Sequence, residues 1–159
     1  MRRRDREITD RDEMIEILDK CQVCRIALHD ENFPYIVPLN YGVDIGGDNV
    51  TLYFHSAKQG KKLDLIRRDN RASFEVDCGH TLVLEHETGN CTMNYESVIG
   101  QGVIEFVPEG EKMNALRILM KHYRHEDFPF NAAMVPQTEM FRLKVIDMTG
   151  KRRQKKSKG

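Results

Sequence analysis

The stretch Tyr53-Phe54-His55-Ser56-Ala57-Lys58-Gln59-Gly60-Lys61-Lys62-Leu63-Asp64-Leu65-Ile66 gathers residue types suited to holding an anion. A β-type run from Val50 ends near His55 in a polar loop with one glycine, and the loop opens into an apolar-periodic helix. The first amides of a helix have no intrahelical acceptor and sit at the positive end of its dipole, so Ser56, Gly60, Lys61 and Lys62 would face a phosphate well. The plain alternative is a strand-to-helix connection whose lysines are merely solvated. The loop matches neither Gly-x4-Gly-Lys-Ser/Thr nor Gly-x-Gly-x-x-Gly, so ordinary nucleotide motifs do not account for it.

Other candidate chemistry is weaker. Cys21 and Cys24 form a Cys-x-x-Cys pair, but Cys78 and Cys91 do not supply the second close pair of a structural zinc site. The pair lies where a helix hands over to a strand, the reverse of a redox motif, so both cysteines read as small buried hydrophobes. His55 alone would read as a hydrogen-bonded strand-end histidine, and His122 and His125 as surface groups. Lys151-Arg152-Arg153-Gln154-Lys155-Lys156-Ser157-Lys158 is strongly basic. Such a tail is expected to be solvated and disordered, with nucleic-acid binding a minor alternative.

The elements that must position these residues follow from composition and period. The chain has 159 residues, 31% charged and 40% apolar, enough for one folded domain over residues 1–150 with the tail at 151–159. Lys plus Arg equals Asp plus Glu at 25 each, so no net field draws in nucleic acid or an anionic membrane. No apolar run reaches the ~20 residues of a spanning helix, and the amino terminus has no signal pattern, so a cytoplasmic location is expected.

Asp10-x-x-Glu13 resembles a capping box and starts a helix over 11–20. Strands are expected over 23–28, 33–41 and 50–55, the second broken by Pro34 and Pro38 and therefore not an ordinary central strand. A helix over 61–68 follows, then strands over 72–77 and 81–85. The segment 91–107 carries Gly100 and Gly102, which suggest a bulge or bend. A helix led by Pro108 bears Met113, Leu116, Ile118, Leu119 and Met120, and 139–147 closes the order as a strand. The apolar segment 127–136 reads as a packing loop or a lid. Short turns between strands imply a mainly antiparallel sheet, and a small barrel with peripheral helices fits better than a doubly wound sheet.

Pro34-Tyr35-Ile36-Val37-Pro38-Leu39-Asn40-Tyr41-Gly42, the 52–64 stretch, Asn70-Arg71-Ala72-Ser73-Phe74-Glu75-Val76-Asp77, Tyr95-Glu96-Ser97-Val98 with Gly100-Gln101-Gly102, and the ending Phe141-Arg142-Leu143 to Thr149-Gly150-Lys151 stand in a telling order. With them the chain, from about Arg6 to Arg153, resembles the flavin-binding split-barrel proteins related to pyridoxamine 5'-phosphate oxidase. Within these it is most similar to the nitroimidazole-resistance (Nim-type) branch. The resemblance implies a six-stranded antiparallel split β-barrel, mainly β with peripheral helices, forming a homodimer with FMN in a groove between subunits.

Carried over by position, Ile36, Val37, Pro38, Leu39 and Asn40 would line the isoalloxazine ring, largely through backbone groups. His55 and Ser56 would approach the ring and ribityl chain, and Lys61 and Lys62 would hold the phosphate. Tyr95 and Ser97 would come from the second subunit. The carboxy-terminal arginine- and histidine-bearing segment with which true pyridoxamine phosphate oxidases grip substrate has no counterpart, and tryptophan is absent. Production of pyridoxal phosphate is therefore not expected.

The implied activity is an FMN-dependent oxidation or reduction of a small planar molecule such as a nitroaromatic. No nucleophile with an adjacent base and no useful pair of carboxylates is readable, as expected when a cofactor carries the reaction. The rival reading is a flavin- or haem-binding module without turnover, with His55, His80 or His86 as possible iron ligands.

Overall fold

The structure, a computed structural model, describes residues 3–154 apart from Glu126. Its strands are β1 (Glu7–Ile8), β2 (Cys24–Leu28), β3 (Tyr35–Leu39), β4 (Tyr41–Gly46), β5 (Asn49–Ala57), β6 (Arg71–Glu85), β7 (Asn90–Phe106) and β8 (Thr138–Arg153). Helices α1 (Arg11–Lys20), α2 (Lys61–Arg68) and α3 (Lys112–His122) lie between them. All pairings are antiparallel, in the order β3-β2-β6-β7-β8-β5-β4, with β1 added beside β8.

The two edge strands of that order, β3 and β4, are consecutive in the chain and separated only by Asn40. One residue spans at most ~3.6 Å, so the sheet has to curl until its edges nearly meet without pairing. That is a split barrel. The strand expected over 33–41 is thus two strands, and with the short β1 the sheet has eight assigned strands where six were expected. The two strands expected over 72–85 are one, interrupted by a register irregularity between Cys78 and Thr81.

Bulky side chains fill the interior. Tyr41, Phe54, Phe74 and Phe141 are among the largest fully buried groups, and Phe54 stacks on Phe141 with ring centroids 5.3 Å apart. Helix α1 is capped by Asp10, whose carboxylate accepts from the amides of Asp12 and Glu13, and it buries Met14, Ile17 and Leu18. Helix α2 buries Leu63, Leu65 and Ile66. Cys21 and Cys24 are buried in the same core, and burial pushes the Cys24 thiol up to about 12.

Helix α3 lies so close to β4 that a Cβ on Gly42 would fall 2.5 Å from Leu119 Cα. Its buried stripe is Lys112, Ala115, Leu119 and His122, not the purely apolar set expected from sequence. His122, expected at the surface, is 8% exposed, with Nε2 2.7 Å from the Cys21 carbonyl oxygen and its ring 4.6 Å from that of Tyr41. Lys112 is satisfied by the Thr138 carbonyl at 2.9 Å and Glu109 at 2.8 Å.

Lys151, Arg152 and Arg153, assigned from sequence to the tail, end β8 opposite Ser97, Glu96 and Tyr95. Arg152 is held there by Glu96 at 2.6 Å and by Glu13, which explains why basic residues join the sheet. The remainder of the tail, 155–159, lies outside the described residues.

Candidate functional site

Three segments converge on one edge of the barrel. Among the described residues strand β3 pairs only with β2, so its other edge offers backbone groups to something besides a strand. Pro38 is tolerated because this is an edge. Side chains alternate along β3: Ile36 is 63% exposed and Pro38 exposed, while Tyr35, Val37 and Leu39 are half-buried. Beside the amino end of β3 lies the first turn of α2, with Lys61 Nζ 5.2 Å from the Tyr35 ring centroid.

Gly60 caps α2 with φ 140°, a conformation that favours glycine, and nothing lies within 4 Å of where its Cβ would be. Among the described residues no side chain caps this turn. The Leu63 amide turns back to the Gly60 carbonyl at 2.9 Å, and the first two residues of the helix, Lys61 and Lys62, start it beside open space. Lys61 is not idle, since Asp30 of the β2–β3 turn meets its Nζ at 2.6 Å. Asp30 also faces Arg68 at 3.6 Å, and these cations with the Glu31 amide hold its carboxyl below the usual range. Among the described residues Lys62 makes no ion pair, and it lies near enough to His55 to act on its titration.

His55 stands on the exposed side of β5 opposite Met140. Partial withdrawal of water from its ring, then the like charge of Lys62, push its pKa below the ordinary imidazole value, favouring the neutral form. Ser56, the next residue, donates to the Ala57 carbonyl at 2.7 Å. At the far end of β3, the Asn40 amide donates to the Tyr123 hydroxyl at 3.1 Å and to the Gln22 carbonyl at 3.3 Å. The same hydroxyl accepts from the Tyr41 amide at 3.2 Å and donates to Gln22 at 2.6 Å, fixing the β3–β4 break.

One protomer thus brings together Ile36 to Asn40, His55, Ser56, Lys61 and Lys62. Tyr95 and Ser97 are not among them. Ser97 lies opposite Lys151 on β8 and His55 opposite Met140, so eleven residues of β8 separate the two positions, about 36 Å of extended strand. Lys151 reaches over the Tyr95 ring at 5.7 Å. Burial alone would raise the Tyr95 hydroxyl, but Arg6 and Lys151 outweigh it and the net shift is downward.

Sequence reasoning missed Asp30 and Tyr123. Asp30 sits in a turn readable from Asp30-Glu31-Asn32, but its pairing with Lys61 is a tertiary contact without a local signature. His80 and His86 lie on the β6–β7 hairpin, away from His55. Among the described residues no three His, Cys, Asp or Glu side chains group as a metal site, and no helix is long and apolar enough to cross a membrane.

The geometry defines the class as an antiparallel split barrel with a free edge strand beside a helix that starts with two lysines. The family model described as pyridoxamine 5'-phosphate oxidase matches residues 10–152, and the chain belongs to that family. Its structure is similar to a chain from Bacteroides thetaiotaomicron VPI-5482 provisionally assigned to 5-nitroimidazole antibiotic resistance. The two are 33% identical over 91% of this chain and 85% of that one, with a TM-score of 0.79. An FAD- and haem-binding protein from Mycobacterium smegmatis shares the fold at TM-score 0.80 and 18% identity, over 97% of this chain and 76% of that one. An FAD-binding protein from Mesorhizobium loti does so at TM-score 0.68 and 24% identity, over 94% and 98%. No protein of curated function matches.

Proposed function

We propose that the protein is an FMN-dependent oxidoreductase acting on a small planar molecule such as a nitroaromatic, working as a homodimer. The observation that carries this reading is the meeting of the free β3 edge, the end of β5 and the open first turn of α2 at one place. That donor set fits a flavin mononucleotide. Lys62, Lys61 and the uncapped first turn of α2 suit a dianionic phosphate, and lysine serves as a point charge without needing a fixed fork. Backbone groups from Ile36 to Asn40 suit the polar edge of the ring, while Tyr123 keeps Asn40 and the β3–β4 break in place. His55, disposed to stay neutral, and Ser56 offer hydrogen-bonding groups between phosphate and ring.

When bound, the flavin would supply hydride or electron transfer, and the chain would bind, orient and shield it. Support for the Nim-type direction is the 33% identity to the nitroimidazole-resistance chain. The approach of Tyr95 and Ser97 from a second copy is supported by their distance from His55 along β8.

The test is the absorption spectrum of freshly purified protein and the mass of the ligand released on denaturation. FMN that bleaches with a reductant and recovers with a nitroaromatic is the expected result. A bound flavin that does not turn over, or a Soret band in its place, would replace this reading with the non-catalytic flavin- or haem-binding one.

A further inference from the structure

Strands β6 and β7 run far beyond the barrel. Thr81–Glu85 and Asn90–Asn94 pair with each other and, among the described residues, with no other strand. Their base is clamped, because buried Glu96 accepts from Arg152 at 2.6 Å, Lys20 at 3.2 Å and Gln154 at 3.3 Å. Just beyond the base, Gly79 at φ 70° and the register irregularity between Cys78 and Thr81 make a joint. The distal part is a two-stranded ribbon, a form that is marginal in water unless one face is covered.

Its two faces differ. Val83 on one is buried, while Leu82, Leu84 and Met93 on the other are 57%, 51% and 44% exposed. Leu82 lies opposite Met93 and Leu84 opposite Cys91, so these groups form one apolar ladder. Side chains alternate along a strand, so the face holding Cys91 and Met93 continues through Tyr95 and Ser97 to Ile99, itself 53% exposed on the barrel wall.

We propose that residues 80–94 form an arm that packs its Leu82–Leu84–Met93 face against a second copy of this chain, an inference that rests on the homodimer reading above. Two arguments select a second copy as the occupant. The apolar face is continuous with Tyr95 and Ser97, which the function proposed above brings to the flavin site from another subunit. The arm's turn also carries Glu85 and Glu87, opposite in sign to the Lys58, Lys61 and Lys62 loop beside that site. A two-fold axis would use both arms alike.

Cys91 provides a native reporter, since it is exposed and unpaired on the arm. Thiol labelling of Cys91, located by peptide mass, is measured across protein concentration beside sedimentation equilibrium, for wild type and Leu82→Lys/Met93→Lys. Both replaced side chains are solvent-facing in the protomer, so the dilute variant should melt like dilute wild type. The expected result is Cys91 labelling at least about tenfold slower in the wild-type dimer than in the dilute protein, with the variant's dimer dissociation constant raised at least about tenfold. A wild-type dimer whose Cys91 labels as fast as the monomer's, or a variant that dimerises unchanged, overturns the arm alone. Wild type that stays monomeric at every concentration overturns the homodimer reading and the arm with it.

Discussion

Replacing Lys62 by alanine should weaken FMN binding while leaving riboflavin binding nearly unchanged, because only FMN carries the phosphate. The size follows from geometry and charge. A bound phosphate ester carries about −1.5 to −2 charges near neutral pH. A lysine about 4 Å away in a water-exposed setting contributes about 1 kcal/mol per unit charge. Losing one fully engaged lysine therefore costs about tenfold to thirtyfold in dissociation constant. Lys62 should approach that figure, since no described carboxylate pairs with it. Lys61 should fall short of it, because Asp30 at 2.6 Å already takes part of its charge. Fluorescence titration with FMN and with riboflavin at low salt, for Lys61→Ala, Lys62→Ala and the double variant, gives the comparison. In 1 M salt, where the screening length falls to about 3 Å, the differences should shrink. Equal losses for FMN and riboflavin, or an unaltered FMN affinity in Lys62→Ala, would refute the phosphate assignment.

Three further outcomes are expected. Asp30→Asn should free Lys61 and tighten FMN, but not riboflavin, by about threefold at low salt, read in the same titration. Glu96→Gln should lower the melting temperature at neutral pH by several degrees. Burial alone would raise the Glu96 carboxyl, but Arg152 and Lys20 bring it below its ordinary value, so its contribution is present above the unfolded carboxylate pKa and lost as pH falls through the folded one. The gap between Glu96→Gln and wild type should therefore close in acid, which melting curves across pH would show. Gly42→Ala forces a Cβ to within 2.5 Å of Leu119 Cα, so α3 must move off β4 at a cost of about 1–3 kcal/mol, measured by denaturant unfolding.

Much of the fold was legible because its signals are local. Asp10 and Glu13 marked the start of α1, and Asp10 does cap it. Gly100 and Gly102 suggested a bulge or bend, and the β7–β8 ladder does shift register between Gln101 and Gly102, but the extra residue is Ile146 of β8, turned outward and 74% exposed. Pro38 marked an edge strand, which β3 is. What failed was non-local. Apolar periodicity found part of the inward face of α3, since Leu119 is buried and Leu116 and Ile118 pack against the core, but it missed that the buried stripe begins with Lys112 and ends with His122, whose partners at Thr138 and Cys21 lie far away in sequence. Lys151 to Arg153 looked like tail by composition, yet β7 and the carboxylates of Glu96 and Glu13 draw them into the sheet. At the candidate site the lysines and the strand edge were readable from residue type, whereas the Asp30 contact and the Tyr123 anchor depend on how distant segments meet.

The shared site can be tested most directly with mixed dimers of one Lys61→Ala/Lys62→Ala chain and one Tyr95→Ala/Ser97→Ala chain. Each homodimer should lose FMN. If every site takes its lysines from one chain and its tyrosine and serine from the other, the mixed dimer has one intact and one doubly damaged site and should bind a single FMN. A mixed dimer that binds none, while wild-type dimers fill both sites, would mean that each site belongs to one chain alone and would contradict the account.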